Sequence, residues 1–275
     1  MLEEKNKILD PLEIIKRSYT NILDHFKSYL VLCYVILLPT FIYQYISPLK
    51  IDPKTTQFIE VLPRLIFTLL ILIILGIFLN RLFMLGKEHL FKLTTKSLLE
   101  IFSKYLLYTI ALSIVLLLAL LSIGLLIALI LTVINSSIGA KTLGSEIISS
   151  VVWVLMALFL SLVVFRTLPT FTSIANGNHL IPMKSAYYYT RNNNKNLVII
   201  ALACFLPMTM ISALLAYMVS NTGVESNTIN SIIAFILLPI SILPYALQLS
   251  AGVEIYKELV PIEHNSPKQT LDVKV

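Results

Sequence analysis

The segment that decides the fold is 101-IFSKYLLYTIALSIVLLLALLSIGLLIALILTVI-134. After Lys104, its only charged residue, 30 consecutive residues carry no charge. A helix needs about 20 consecutive apolar residues to cross the hydrocarbon core of a bilayer. Because a helix in a soluble core needs no uncharged run of this length, the segment predicts a transmembrane helix.

The composition extends this prediction to the whole chain. Of 275 residues, 57% are hydrophobic and 13% are charged, whereas soluble domains have roughly 25% charged residues. The apolar segments are spread along the sequence and no long polar block separates them. This pattern favours one polytopic membrane domain and excludes a separate soluble catalytic domain.

The predicted fold is an all-α membrane bundle of six transmembrane helices. The predicted spans are 28–46, 61–83, 105–134, 147–168, 196–219 and 229–253. Residues 10–256 form the single domain, between a flexible N-terminus at 1–9 and a flexible cytoplasmic tail at 257–275.

Amphipathic helices are predicted before spans one, three and five. The first has the clearest start, since Asp10 is a capping residue and Pro11 suits the first helical position. Such helices lie along a membrane surface, with basic residues among the lipid headgroups. The predicted membrane-surface contacts are Lys16, Arg17, Lys27, Lys96, Lys104, Lys184, Arg191 and Lys195.

The basic residues also predict the orientation. With these spans, seventeen Lys and Arg residues fall on the side of the termini and four on the other side. Cytoplasmic segments retain Lys and Arg, so both termini are predicted to be cytoplasmic in a bacterial inner membrane. The net charge of +6 is then explained by orientation and by attraction to membrane phospholipids, and no nucleic-acid partner is expected.

Three short segments align at the entrances to spans one, three and five. They read Phe26-Lys-Ser-Tyr-Leu, Phe102-Ser-Lys-Tyr-Leu and Asn194-Lys-Asn-Leu-Val, and Pro39 and Pro207 follow at the same offset in the first and third. Three repeated units of surface helix plus helical hairpin would explain the similarity. Shared physical demands on helices that enter a bilayer would explain it equally well.

The chain resembles a family of six-span bacterial membrane proteins. The features that match are the surface helix before span one, Pro39 after two leucines, Leu168-Pro169, Pro182-Met-Lys-Ser-Ala and Lys195-Asn-Leu. In these the sequence is similar to the membrane domain attached to some glycerophosphodiester phosphodiesterases and to the YciC-like inner-membrane family. The catalytic activity of that family belongs to a soluble barrel domain without a counterpart in this sequence. The resemblance therefore implies a bacterial inner-membrane protein of ill-defined role.

The residues themselves point away from catalysis. The four histidines stand alone in sequence, and no phosphate-binding loop, nucleophile elbow or zinc-protease motif occurs. No metal, cofactor or enzymatic activity is expected. Two charged residues near span ends, Arg166 and Glu254, are predicted to form a structural ion pair on the cytoplasmic side.

Two function classes stay open. The first is a noncatalytic protein that binds lipid or a membrane protein partner in envelope maintenance. The alternative is a transporter or channel component for a small or amphipathic solute, because proline-kinked helices can open a cavity. The predicted helix kinks are at Pro39, Pro207, Pro239 and Pro244.

Overall fold

The computed structural model describes residues 7–46, 58–138, 143–177, 180–221 and 227–260. Within these ranges the chain is helical apart from short links. The helices are α1 Pro11–Asp24, α2 Phe26–Ile46, α3 Phe58–Leu85, α4 Thr95–Ile138, α5 Leu143–Ala175, α6 Met183–Thr190, α7 Asn194–Asn221 and α8 Asn227–Leu259. Two 3₁₀ turns, Lys87–His89 and Arg191–Asn193, lie between helices.

The long helices confirm the predicted helical membrane bundle. Five described stretches are long and apolar enough to cross a membrane: Phe26–Tyr43, Leu62–Leu85, Thr95–Leu125, Met156–Ala175 and Phe235–Leu259. The remaining predicted span, 196–219, coincides with the 28-residue helix α7, part of whose side chains lie outside the described residues. Each predicted span therefore corresponds to a long helix.

The six long helices form three hairpins whose open ends lie together on one side. The pairs α2–α3, α4–α5 and α7–α8 each pack together, and α8 also contacts α2, α3 and α5. Side-chain contacts join the end of α3 to the end of α5, and α5 to the start of α7. We call the side where α2, α4 and α7 begin and α3, α5 and α8 end the basic end.

Helix α1 begins as the sequence predicts. The Asp10 carboxylate accepts hydrogen bonds from the backbone N–H groups of Leu12 and Glu13, and Pro11 is the first helical residue. These bonds satisfy two of the N–H groups that a helix start leaves without partners. The helix ends at Asp24, and His25 separates it from α2.

Helix α1 is also part of the bundle, although its amphipathic pattern alone predicts a surface helix. Its residues Ile14, Ser18 and Ile22 are buried, and it packs along α7 and the last turns of α8. The Ser250 hydroxyl donates to the Ser18 carbonyl oxygen at 3.1 Å, and the Tyr19 hydroxyl donates to the Ala203 carbonyl oxygen at 3.0 Å. Small polar groups thus join α1 to both helices.

Four of the differences from the predicted boundaries change which segments belong to the bundle. Helix α4 begins at Thr95, so the predicted second surface helix and the third span form one helix. Helix α5 continues through Pro169 to Ala175, and α8 continues to Leu259. Leu9 is buried, and its N–H donates to the Asn193 side-chain oxygen at 2.8 Å.

Tertiary packing accounts for the last three differences. The end of α5 packs against α3, the end of α8 packs against α1, and a buried cluster contains Val260 and Tyr256. The remainder of the predicted flexible segments, 1–6 and 261–275, lies outside the described residues.

The three aligned entry segments share one inward-facing position. Tyr29, Tyr105 and Leu197 occupy the same place in the alignment, and all three are buried. The entries differ in backbone, because α2 and α7 each follow a break while α4 has none. The shared position is compatible with duplication and with common packing demands, so both explanations stay open.

Close packing between α5 and α8 depends on Gly252. A Cβ atom at this position would lie 2.8 Å from Cβ of Leu168, which is too close for two carbon atoms. Small residues at helix interfaces let the backbones approach closely in a membrane.

We expect Gly252→Ala to lower the stability by about 1–3 kcal/mol, because the added methyl group must displace Leu168. The matched control is Gly124→Ala on α4, where a Cβ meets no atom within 4 Å. Heating in detergent with a thiol-reactive dye measures unfolding, since the free cysteines Cys33 and Cys204 are both buried. Equal transition temperatures for the two variants would contradict the prediction.

Candidate functional site

All eight basic residues predicted to contact the membrane surface are exposed. Their charges are not equally available. Lys104 pairs with Glu100 at 2.6 Å, and Arg17 pairs with acidic residues of α1 and α8. The Arg191 guanidinium lies 4.4 Å from the centre of the Tyr188 ring. Contact of these residues with lipid stays a prediction.

Arg17 binds α1 to the end of α8. It pairs with Glu13 on its own helix and with Glu258 on α8, where the Nη1–Oε1 distance is 2.9 Å. Glu254 lies further away, at 3.8 Å from the same nitrogen. Partial desolvation lowers the pKa of Arg17, but the negative charges of Glu13 and Glu258 outweigh it, so the pKa is raised overall. This predicted membrane-surface residue therefore stabilises a contact inside the protein.

The predicted ion pair between Arg166 and Glu254 is wrong. Glu254 is 3% exposed, and its carboxylate accepts hydrogen bonds from Asn21 at 3.0 Å and Lys257 at 2.8 Å. The groups that donate to Glu254 thus lie on α1 and α8. The contact with α1 requires this helix to be packed in the bundle.

Arg166 faces a different part of the basic end. Its guanidinium lies 4.0 Å from the centre of the Tyr187 ring. It donates a hydrogen bond to the Asn194 side-chain oxygen and one, at 3.4 Å, to the Arg191 carbonyl oxygen. The segment between α5 and α7, together with the first residue of α7, therefore supplies its partners. The pattern of the spans alone does not show that this segment folds back over α5.

A buried polar contact joins α3 to α5. Arg81 is 4% exposed and donates to the carbonyl oxygens of Ala175 and His89, both at 3.1 Å. Asn80 accepts a hydrogen bond from Thr172 at 3.1 Å. The guanidinium lies at the C-terminus of α5, where the helix dipole favours a positive charge. Because Asn80 and Arg81 lie near the end of a span, the sequence suggests that they contact lipid headgroups. In the structure both side chains are buried inside the protein.

A groove at the basic end combines positive charge with apolar surface. It has a volume of about 220 Å³ and lies between the start of α2 and the link that follows α3. Lys27 and Lys87 supply one positive charge from each side. Neither lysine forms an ion pair with a carboxylate in the described part of the chain. The groove is therefore electrostatically suited to an anion.

Gly86 sets the position of Lys87 in this groove. It follows the last residue of α3 with φ +76°, a left-handed conformation that glycine adopts without steric cost. The turn directs the chain from α3 into the segment 87–91. Leu90 and Phe91 of this segment line the groove together with Val31 and Leu32 of α2.

A second groove begins beside the first. It has a volume of about 260 Å³ between α3 and α4 and is lined almost entirely by apolar atoms, including those of Ile74, Phe78 and Phe102. The Phe78 ring contacts the Phe91 ring, with 5.7 Å between their centres. Because Phe91 lines the first groove and Phe78 the second, this aromatic pair lies between the two grooves.

The four prolines lie within helices that continue past them. Pro39 and Pro207 are exposed on the outside of the bundle, whereas Pro239 is buried and Pro244 is half-buried. The Tyr29 hydroxyl donates to the carbonyl oxygen of Pro239. The size of any kink stays a prediction. Neither exposed proline lines one of the two grooves described above.

In the ranges that the structure describes, no group of three His, Cys, Asp or Glu side chains is placed to hold a metal ion. Comparison of the chain with models of protein families, with curated proteins and with solved structures finds no match. The resemblance to the membrane domain of the phosphodiesterases and to the YciC-like family therefore stays a prediction.

The different roles of two neighbouring cations give a direct test. We expect Arg17→Gln to lower the unfolding temperature, because it removes the contacts with Glu13 and Glu258. Lys16→Gln is the matched control, since Lys16 is exposed and has no described ion-pair partner. Thermal unfolding in detergent at low and high salt measures both. A loss of the same size in the two variants would refute the assigned role of Arg17.

Proposed function

We propose that this chain is a noncatalytic integral protein of a bacterial inner membrane that binds phospholipid at its basic end and serves envelope maintenance. Its termini lie on the cytoplasmic side. The charge distribution of the sequence supports this orientation, and the exposed cations and grooves of the basic end support the binding of lipid.

The observation that carries the proposal is the outer face of α1. While Ile14, Ser18 and Ile22 are buried, Leu12 and Leu23 are 74% and 70% exposed. An apolar face is stabilised where the headgroups meet the acyl chains of a leaflet. The contacts with α7 and α8 hold this face in a fixed orientation.

The polar side of α1 supports the same placement. Lys16 lies next to the apolar face on the helix surface and is exposed. A lysine in this place buries its aliphatic part against apolar surface and keeps its ammonium group among the headgroups. Anionic lipids attract such residues by about 1 kcal/mol each.

The environment of α1 can be measured with introduced cysteines. Labelling will be selective, because the natural cysteines are buried. We expect a nitroxide probe at Leu23→Cys, in phospholipid nanodiscs, to be accessible to oxygen and shielded from a water-soluble nickel complex. Asp24→Cys, also exposed and on the polar side of α1, is the control and should show the opposite preference. Equal exposure of both probes to nickel would contradict the placement.

The proposed function is tested against the transporter alternative in vesicles. We expect the purified chain to retain anionic phospholipid through detergent washing and to cause no saturable flux of small or amphipathic solutes. Thin-layer analysis of extracted lipid and flux across vesicles of defined composition measure the two outcomes. Saturable flux would favour the transporter. A copurifying membrane protein in the absence of retained lipid would favour the partner-binding hypothesis.

A further inference from the structure

The groove at Lys27 and Lys87 is distinguished from the other charged places at the basic end because two lysines without a described ion pair line the same space. Arg17, Lys7, Lys104 and Lys257 each pair with a glutamate. The two groove lysines come from different elements and line one space. Two ammonium groups beside one groove form a place where an anion gains charge-assisted hydrogen bonds.

The apolar lining limits the kind of anion. One turn beyond Lys27, Val31 and Leu32 line the groove, and Phe91 lies opposite, 71% exposed. A free inorganic anion gains nothing from these side chains. A ligand that joins an anionic group to a hydrocarbon chain uses both parts of the lining.

The second groove supplies room for the hydrocarbon. It lies between α3 and α4 on the other side of the Phe78–Phe91 pair, and Ile77, Leu98 and Leu99 are part of its wall. The charged groove therefore lies next to the apolar groove, as the phosphate of a phospholipid lies next to its acyl chains.

We infer that the groove between α2 and the segment 87–91 is a specific site for an anionic phospholipid. Lys27 and Lys87 bind the phosphate oxygens, and one acyl chain passes Phe91 into the groove between α3 and α4. The inference rests on the proposed function and deepens it, because it assigns to one place the lipid binding that is otherwise shared by the whole basic end.

Native mass spectrometry of the full chain in detergent with added phosphatidylglycerol tests the site. We expect Lys27→Gln with Lys87→Gln to raise the dissociation constant at least about tenfold, because two charge-assisted hydrogen bonds are lost. The matched control is Lys184→Gln with Lys195→Gln, which removes the same charge from exposed positions outside the groove. Thermal transitions equal to that of the unmodified chain show that both variants are folded.

The other results separate the site from the proposed function. Equal losses of affinity in both double variants overturn the site and leave general attraction of lipid to the basic end. A chain that retains neither phosphatidylglycerol nor phosphatidylcholine overturns the proposed function and the site together. Displacement of the lipid by inorganic phosphate alone overturns the assignment to a phospholipid.

A separate substitution tests the path of the acyl chain. We expect Phe91→Ser to weaken binding of long-chain phosphatidylglycerol and to leave binding of a short-chain analogue unchanged. Phe91 is 71% exposed, so the substitution removes its contact with the Phe78 ring and no buried side chain. Unchanged binding of the long-chain lipid overturns the path into the second groove.

Discussion

The structure depends on one constraint: within a bilayer every backbone polar group needs a partner inside the protein. Helices meet this constraint because their backbone groups bond to one another. Hydroxyl groups on the spans also find partners within the protein. Thr109, Ser122 and Ser161 each donate to the carbonyl oxygen four residues earlier in their own helix. The two buried arginines that bond to other elements, Arg81 and Arg166, are found at the basic end. The apolar lengths of the helices thus determine where the charge chemistry takes place.

The basic end uses its cations in two ways. Some, of which Arg17 and Arg81 are the clearest, hold helices together through carboxylates or helix-terminal carbonyl groups. Others, including Lys16, Lys27 and Lys87, are exposed and have no described ion pair. Total charge does not distinguish these roles. The distinction arises from which elements pack beside each residue, and it leaves the unpaired cations next to apolar surface where an amphiphile fits.

Much of the fold was predictable because local patterns determine it. Apolar length predicted the long helices, and Asp10 with Pro11 predicted the start of α1. The partners of Arg166 were not predictable, since they depend on how the segment between α5 and α7 folds back. The continuation of α5 past Pro169 was not predictable, because the segment 170–176 mixes polar and apolar residues. Its Phe171 and Ile174 belong to a buried cluster that also contains Ile77 of α3. The groove was not predictable, because Lys27 and Lys87 are 60 residues apart and only packing brings them together.

The contact between α1 and α8 has a consequence for synthesis. Lys7 and Glu258 are separated by 251 positions in the sequence, so the first helix leaves the ribosome long before its binding surface exists. Until α8 is inserted, Ile14 and Ile22 lack one of the two helices against which they pack. Contacts between such distant positions form late, because the loop between them must close first. Docking of the first helix is thus an assembly step that depends on insertion of the last helix, and it marks a completed bundle.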